Sequence, residues 1–461
     1  MADRVGQTTK DKTNCMRPKT TTILGATLAL LGFTLIAPAL AESDRAAKRL
    51  HEYTLVPTGL EALGYTTAEI DEAEARGLTF RDLPSIGSGL QHLHGNHYLG
   101  VTDRGASYTV TVTTDTGSVT KRIFPLPQFT PTIVFYRATH DDLTLEAALP
   151  LVGASGAGVT GIPNSKTEDS VPFLNLDSAQ IPFNPSGMDI EDVHTLPSGG
   201  FILVEEYSPS VVIADENGVV LRRYTPVSKT LSGADYPVSN TLPDVLTNRR
   251  GNRGFESMAV SPDGRTAYTL TQSPMGSTAV GSPSRDSRVV RVLRMDVSDP
   301  LNLEVTGQFA VYLSRASDYP VGNAQRDLKI SAAAWVARDV LLLLEVNDAA
   351  GIGGLRLLLV DLRRASNFHG RPVAETLDLE DVTKGPIYLG LRPAITSVVY
   401  QQFETDLVHL LPSGKLEGLS ILNDHEVAIS NDNDFGIGDV PGTPSTLTVL
   451  HLRDPLPLKR H

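Results

Sequence analysis

Acidic residues recur in this chain at one spacing. Glu191 and Glu206, Glu256 and Gln272, and Glu417 and Asp432 each stand about fifteen residues apart, and Ser88 with Asp103 and Ser331 with Glu345 repeat the interval with serine in the first place. Each pair brackets an apolar strand, a tight turn and a second apolar strand. In an antiparallel hairpin the first and last residues face each other with Cβ atoms roughly 5 Å apart, so Asp103, Glu191, Glu206, Glu256, Glu345, Glu417 and Asp432 are expected to gather on one face. Like charges so opposed destabilise a hairpin and raise one another's pKa. A hard cation removes that penalty. Calcium takes about six to eight oxygen ligands from carboxylates, carbonyls and water, whereas zinc prefers nitrogen and sulfur. Asp432, Asp434 and Gly436 also fall at the DxDxG spacing of a calcium loop. The plainer alternative is structural: the acids cap turns or pair with Arg104, Arg253 and Lys415.

Other chemistry is poorly represented. His92, His94 and His97 straddle a hairpin turn at the opposite end and read as a solvated turn rather than a metal cluster. The sequence has no GxSxG elbow, no HExxH and no phosphate loop ending in Gly-Lys-Ser/Thr.

The elements that must carry the acids are β-strands. SGLQHLHGNHYLGVTDRG from Ser88, IEDVHTLPSGGFILVEEYSP from Ile190, FESMAVSPDGRTAYTLTQSP, ISAAAWVARDVLLLLEVND and LEGLSILNDHEVAISNDND repeat the same hairpin, with turn residues at Gly95-Asn96, Ser198-Gly199, Asp263-Gly264 and Asn423-Asp424. More polar strand pairs follow, among them YTVTVTTDTGSVTKRIF with a turn at Asp115 to Gly117. Four antiparallel strands per repeat predict an all-β propeller, with six blades favoured over five or seven. A two-sheet sandwich is the alternative, but it leaves the recurrence unexplained. Long Gly, Ser and Pro-rich segments at 153–187, 227–253, 273–287 and 315–328 open on the acidic face, where function collects. Trp335 is expected in the core. The expected organisation is a leader at 1–41, an N-terminal segment at 42–86 with a short helix capped by Thr66 and Glu69, the propeller at 87–453 and a tail at 454–461.

Arg17 and Lys19 precede an apolar run from Ile23 to Ala37 and then Ala39-Leu40-Ala41, which predicts an exported protein, periplasmic or secreted, cleaved after Ala41. Fifteen residues are short of the roughly 18 to 20 a spanning helix needs. Export would remove Cys15, leaving no thiol for disulfides, catalysis or zinc. It would also move the formal charge from −13 to 35 − 51 = −16. Such a surface argues against nucleic acid and requires a cation between the protein and any anionic substrate. A monomer is expected.

Several ordered segments resemble the phytase-like (esterase-like activity of phytase) family: Asp103-Arg104-Gly105, Glu205-Glu206-Tyr207-Ser208-Pro209, Asn252-Arg253-Gly254-Phe255-Glu256 with SMAVSPDGRTAY, and Lys415-Leu416-Glu417-Gly418-Leu419 with Asp432-Asn433-Asp434-Phe435. Gln272 and Glu345-Val346-Asn347 depart from the expected pattern. The resemblance implies an exported propeller with phosphoesterase or esterase activity on a small ester. On that footing calcium is expected on Glu191, Glu206, Glu256, Glu417 and Asp432, with Asp103, Glu345 and Asp434 as further ligands. Arg104, Glu206, Glu256 and Lys415 are assigned to the reaction itself, the two cations neutralising developing charge. A propeller lactonase, and a non-catalytic envelope binding module with a structural calcium, are the rivals.

Overall fold

The computed structural model describes residues 46–458 except 115–116, 166–170, 321–323, 348–353, 404, 407, 413 and 438–440. The predicted leader, Cys15 and the turn at Asp115 lie outside the described residues.

The first strand, β1 (Ala47–Leu55), leads to helix α1 (Thr67–Ala75), whose capping box is the predicted one: the Thr66 hydroxyl accepts from the Glu69 N–H, and the Glu69 carboxylate accepts from the Thr66 N–H at 2.8 Å. Then come β2 (Gly89–His94), β3 (His97–Val101), β4 (Tyr108–Thr114), β5 (Gly117–Ile123), β6 (Thr132–Thr139), β7 (Asp142–Pro150) and the short β8 (Pro172–Phe173). The second group is β9 (Ile190–Thr195), β10 (Phe201–Glu205), β11 (Ser210–Ala214), β12 (Val220–Pro226) and β13 (Val238–Leu242). The third is β14 (Phe255–Val260), β15 (Thr266–Thr271), β16 (Val289–Asp296) and β17 (Glu304–Tyr312). The fourth is β18 (Leu328–Ala337), β19 (Val340–Asn347), β20 (Gly354–Asp361) and, after the four-residue helix α2 (Gly385–Tyr388), β21 (Ile395–Phe403). The last comprises β22 (Lys415–Ile421), β23 (Glu426–Asp432) and β24 (Thr446–Leu452).

These strands form an all-β protein of antiparallel four-stranded units. The units are β2-β3-β6-β7, β9-β10-β11-β12 with β13 added in parallel, β14 to β17, β18 to β21, and β22-β23-β24-β1. Their innermost strands close a ring: β2 packs on β9, β9 on β14, β14 on β18, β18 on β22, and β22 back on β2. That is the arrangement of a propeller, and among the described residues the ring closes with five units, where the sequence favours six. One cause is the pair β4-β5, which reads from sequence as the outer half of a blade. It instead forms a separate three-stranded sheet with β8, and the outer strands of the first unit are β6 and β7.

The closure is non-local. β1 pairs antiparallel with β24 from Ala47↔Leu452 to Thr54↔Thr446, so the N-terminal strand completes the last unit. A short parallel contact of β1 with β7, at Thr54↔Asp142 and Leu55↔Leu143, joins the first and last units into one eight-stranded sheet.

Each interface between adjacent units has its own apolar core, with Leu99 and Leu203 in one, Val211 and Met258 in the next, and Tyr268 and Leu343 in the third. Leu342 with Leu419, and Tyr136 with Ala428, occupy the remaining two. Because a blade is covered on both faces, its middle strands read as continuous apolar runs such as Val340 to Leu344, every one buried. Trp335 is partly buried against the third of these cores, its ring 5.7 Å from that of Tyr268.

Candidate metal centre at the propeller axis

Four of the five innermost strands begin with a β-bulge. Glu205 pairs with Ile190 but Val204 with Asp192, so Glu191 is the extra residue. The same skip falls on Glu256 between Phe255↔Thr271 and Ser257↔Leu270, on Ser331 between Ile330↔Glu345 and Ala332↔Leu344, and on Glu417 between Leu416↔Asn431 and Gly418↔Ser430. A bulged residue is released from the ladder and its side chain can be re-aimed. The predicted face-to-face hairpin pairs are therefore corrected: in four of the five the first member is a bulge residue, while Ser88 precedes β2, and the nominal partners Asp103, Glu206, Gln272 and Asp432 lie at or beyond the end of the second strand, with Glu345 inside β19 opposite Ile330.

Ser88, Glu191, Glu256, Ser331 and Glu417 are exposed by only 1, 4, 1, 0 and 2% respectively. Glu191, Glu256 and Glu417 bring carboxylate oxygens within 4.8 Å of one another, and Glu191 also meets Asp189 and Glu206 within that distance. A third trio is Asp103, Asp432 and Asp434. The structure thus gathers seven of the eight predicted metal ligands. Glu345 is not among them. Its oxygens accept from the Ser314 N–H at 2.7 Å and the Tyr319 hydroxyl at 2.8 Å, which makes it an anchor for the 314–319 loop.

Asp189 went unrecognised in the sequence. It is fully buried, accepts from the Arg104 N–H at 3.0 Å, and stands 2.8 Å from the Arg104 guanidinium. The only local signal is an acid two residues before Glu191. Lys329 is also buried at the axis, close enough to Glu256 and Glu417 to favour their charged forms. The backbone is drawn tight around these groups. A Cβ on Gly254 would lie 2.1 Å from the Glu206 carbonyl, and one on Gly161 would lie 1.8 Å from the Arg104 carbonyl.

Two cations divide the acids. Arg104 serves Asp189 and, at 3.5 Å, Glu206, and donates to Asn252 Oδ1 at 2.7 Å. Lys415 directly opposes Asp432 across β22 and β23 and ion-pairs with it, with Glu417 at 3.2 Å and with Asp434 at 3.4 Å. The structural alternative is therefore partly realised, but neutralisation is incomplete. Among the described residues, the cations seen against Asp103, Asp189, Glu191, Glu206, Glu256, Glu417, Asp432 and Asp434 are Arg104, Lys329 and Lys415, three against eight carboxylates.

Burial raises Asp103 and Glu256 to about 7, with Asp432 adding to the first and Glu206 to the second. Glu191 and Glu417 are pushed well above the carboxylate range by burial and then by neighbouring acids. Asp432 goes the other way: burial opposes its charge, but Lys415, Ser85 and the Asp434 N–H hold it at about 2.

Whether the axis suits a cation is answered by its orphaned oxygens. Both carboxylate oxygens of Glu256, both of Glu417, and the hydroxyls of Ser88 and Ser331 are buried without a hydrogen-bond partner; Lys415 is in ion-pair range of Glu417 but not in hydrogen-bonding geometry. Buried polar atoms are otherwise satisfied in folded proteins. An all-oxygen set of flexible carboxylates matches calcium. These residues fit a hard cation held by oxygen.

Above this axis opens a cleft of about 430 Å³ lined by Asp103, Arg104, Lys415, Asp434, Asn252 and the β4-β5 sheet through Tyr108, Thr109 and Arg122. Asn252 comes from the long segment 227–253, as expected of the loop-bearing face. The three glutamates are not among its lining residues. His92, His94 and His97 sit at the other end of β2 and β3, where His92 meets the Gly95 carbonyl at 2.9 Å and His97 meets Glu146 at 2.8 Å.

Fold and site define an all-β propeller with an acidic axis. The chain belongs to the phytase-like family (esterase-like activity of phytase), whose pattern matches residues 86–435. A secreted protein of Arthroderma benhamiae, described as uncharacterized, is 30% identical over 125 residues, which is 24% of this chain and 24% of that protein. The match thus spans about a quarter of that relative. Among solved structures, a luciferin-regenerating enzyme is 9% identical with a TM-score of 0.34, covering 82% of this chain and 96% of that one. A PQQ-bound aldose sugar dehydrogenase from Streptomyces coelicolor is 9% identical with a TM-score of 0.29, covering 81% and 98%. Among the described residues no helix is long and apolar enough to cross a membrane.

Proposed function

We propose that this chain is an exported, monomeric, calcium-dependent hydrolase of a small anionic ester, a phosphate ester in the first instance. The observation that carries this reading is the set of orphaned carboxylate oxygens on Glu256 and Glu417, beside Glu191 and beneath a cleft that presents Arg104, Arg122 and Lys415. Family membership supports ester chemistry, and the secreted relative is compatible with export.

Glu191, Glu256 and Glu417 would hold the ion, with Asp189 and Glu206 alongside. When bound, calcium supplies a fixed positive charge that polarises an ester oxygen or a water. Arg104 and Lys415 bind the anionic group at the cleft floor, and their ion pairs with the axial acids fix them there before substrate arrives. Asp103 lines the same cleft and, with a pKa of about 7, is suited to take a proton from an attacking water at its carboxylate.

A second reading, a non-catalytic binding module with a structural calcium, draws support from the absence of the three glutamates from the cleft lining. A lactonase would use the same cleft on a carboxylic ester. The deciding experiment is a screen of phosphate esters, carboxylic esters and lactones on the mature protein, with calcium and with chelator. Calcium-dependent turnover establishes the hydrolase and its ester class. Stoichiometric calcium without turnover establishes the binding module.

A further inference from the structure

The two trios that flank Lys415 each hold three carboxylates, aspartates in one and glutamates in the other, and are unequal in state. In the Asp103–Asp432–Asp434 trio, Asp432 accepts on one oxygen from Ser85 and the Asp434 N–H and on the other from the Lys415 ammonium. Asp103 accepts from the Gly105 N–H at 2.9 Å, and Asp434 stands 3.4 Å from Lys415. None of these three has an oxygen that is both buried and orphaned. In the Glu191–Glu256–Glu417 trio, four carboxylate oxygens are.

We infer that Lys415 is a tethered counter-cation that fills the Asp103–Asp432–Asp434 trio and closes it to divalent ions, so that the axis takes one ion, at the glutamates, instead of two.

The inference rests on the axial-ion reading above for the glutamate site, but not for the aspartate site. Three further observations support it. Lys415 and Asp432 are a directly opposed cross-strand pair, so the ammonium is placed by the ladder itself and not by a free rotamer on a loop. The lysine stem enters from the strand that carries Glu417, and Nζ lies 3.2 Å from that carboxylate, so one charge serves the edge of both trios. The aspartates have the chemistry of a calcium site in all but this occupant: three carboxylates with oxygens within 4.8 Å, drawn from β23, the turn behind it and the neighbouring unit. Removing the occupant should therefore expose a second site without any other change.

The test is calcium stoichiometry, by titration calorimetry and by metal content after desalting, on the wild type, Lys415→Met and Lys415→Met/Asp434→Asn. Methionine keeps an unbranched stem and removes the charge. The expected result is one calcium in the wild type, two in Lys415→Met, and one again in the double variant. If Lys415→Met does not fold, Lys415→Gln, which retains a donor for Asp432, takes its place. Two ions in the wild type, or one in both wild type and single variant, overturn the inference while leaving the axial site standing. No ion in the wild type with one in the single variant overturns the axial reading, and with it the single glutamate ion, and keeps the role of Lys415 in closing the aspartate site. No ion in any of them overturns both.

Discussion

Asp103 and Asp432 bring carboxylate oxygens within 4.8 Å of each other and yet hold their protons very differently, Asp103 titrating at about 7 and Asp432 at about 2. Burial opposes the charge of both. Lys415 is bonded to Asp432 and only nearby for Asp103, so the proximity of one ammonium sets which acid stays ionised.

The raised acids have an unusual consequence for stability. Asp103 and Glu256 titrate at about 7 when folded and near the ordinary carboxylate range when unfolded, so between the two pH values the folded state holds the extra protons. Stability of the calcium-free protein is then greatest below the unfolded pKa and declines as pH rises from about 4 through 7, by an amount on the order of a few kcal/mol. Thermal melts in chelator should show this decline, and calcium should reverse it while releasing protons. A calcium-free protein whose stability rises steadily from pH 4 to 7 would contradict the placement of these acids.

His194 should act in the opposite direction over an overlapping pH range, partly offsetting the decline caused by the acids. Burial holds its ring at about 4, and Nε2 stands 3.0 Å from the Met258 carbonyl, with Asp192 at 3.8 Å. Its folded pKa lies below the unfolded value, so stability falls as pH drops from about 6.5 toward 4, by roughly 3 kcal/mol at most. His194→Gln should flatten that part of the pH–stability curve; an unchanged slope would remove His194 as its source.

Adjacent Glu205 and Glu206 have separate roles. Glu205 is fully buried and bonded at 2.7 Å to the equally buried Arg223, which ties the second unit together. Arg223→Met should cost about 3–5 kcal/mol in urea denaturation by leaving a buried charge unpaired, without changing calcium stoichiometry. Loss of calcium at unchanged stability would instead place Glu205 in the metal centre.

What could be read in the sequence follows from what is local. The inner hairpins repeat because each blade needs the same two apolar strands, so fold class and the gathering of seven of the eight expected acids were legible. The bulges were not, since an extra residue in one strand changes register without changing residue type. Glu345 shows the result: it keeps the spacing of Glu206 and Asp432 but binds the 314–319 loop. The strand that completes the last unit, β1, pairs with a segment almost the whole chain away, and the hairpin β4-β5 carries the same Thr and Val alternation as a true outer blade pair. Asp189 and Lys329 acquire meaning only once the ring brings separate units together.

The histidines at the other end of the first hairpin test the placement of the site. Replacing His92, His94 and His97 together by Gln should leave calcium content and any activity nearly unchanged, because His92 bonds a turn carbonyl, His97 bonds Glu146 and His94 packs on the His97 ring. Loss of the metal would locate the centre at the wrong end.

Glu191 and Glu417 provide the sharpest test of the axial ion. Both are bulge residues, both are buried, and both resist ionisation because burial and neighbouring acids oppose it. An ion bound only by the folded protein stabilises it by about 2.7 kcal/mol at a hundredfold excess over its dissociation constant, so chelator should lower the melting temperature of the wild type by several degrees. Glu191→Gln with Glu417→Gln removes the charge at almost constant shape. That variant should bind calcium weakly, melt at nearly the same temperature with and without chelator, and lose any esterase activity. It should also be at least as stable as the calcium-free wild type, since two buried carboxyls whose ionisation the site opposes are gone. Full calcium content and an undiminished response to chelator in the double variant would return these glutamates to a purely structural role at the ends of the blades.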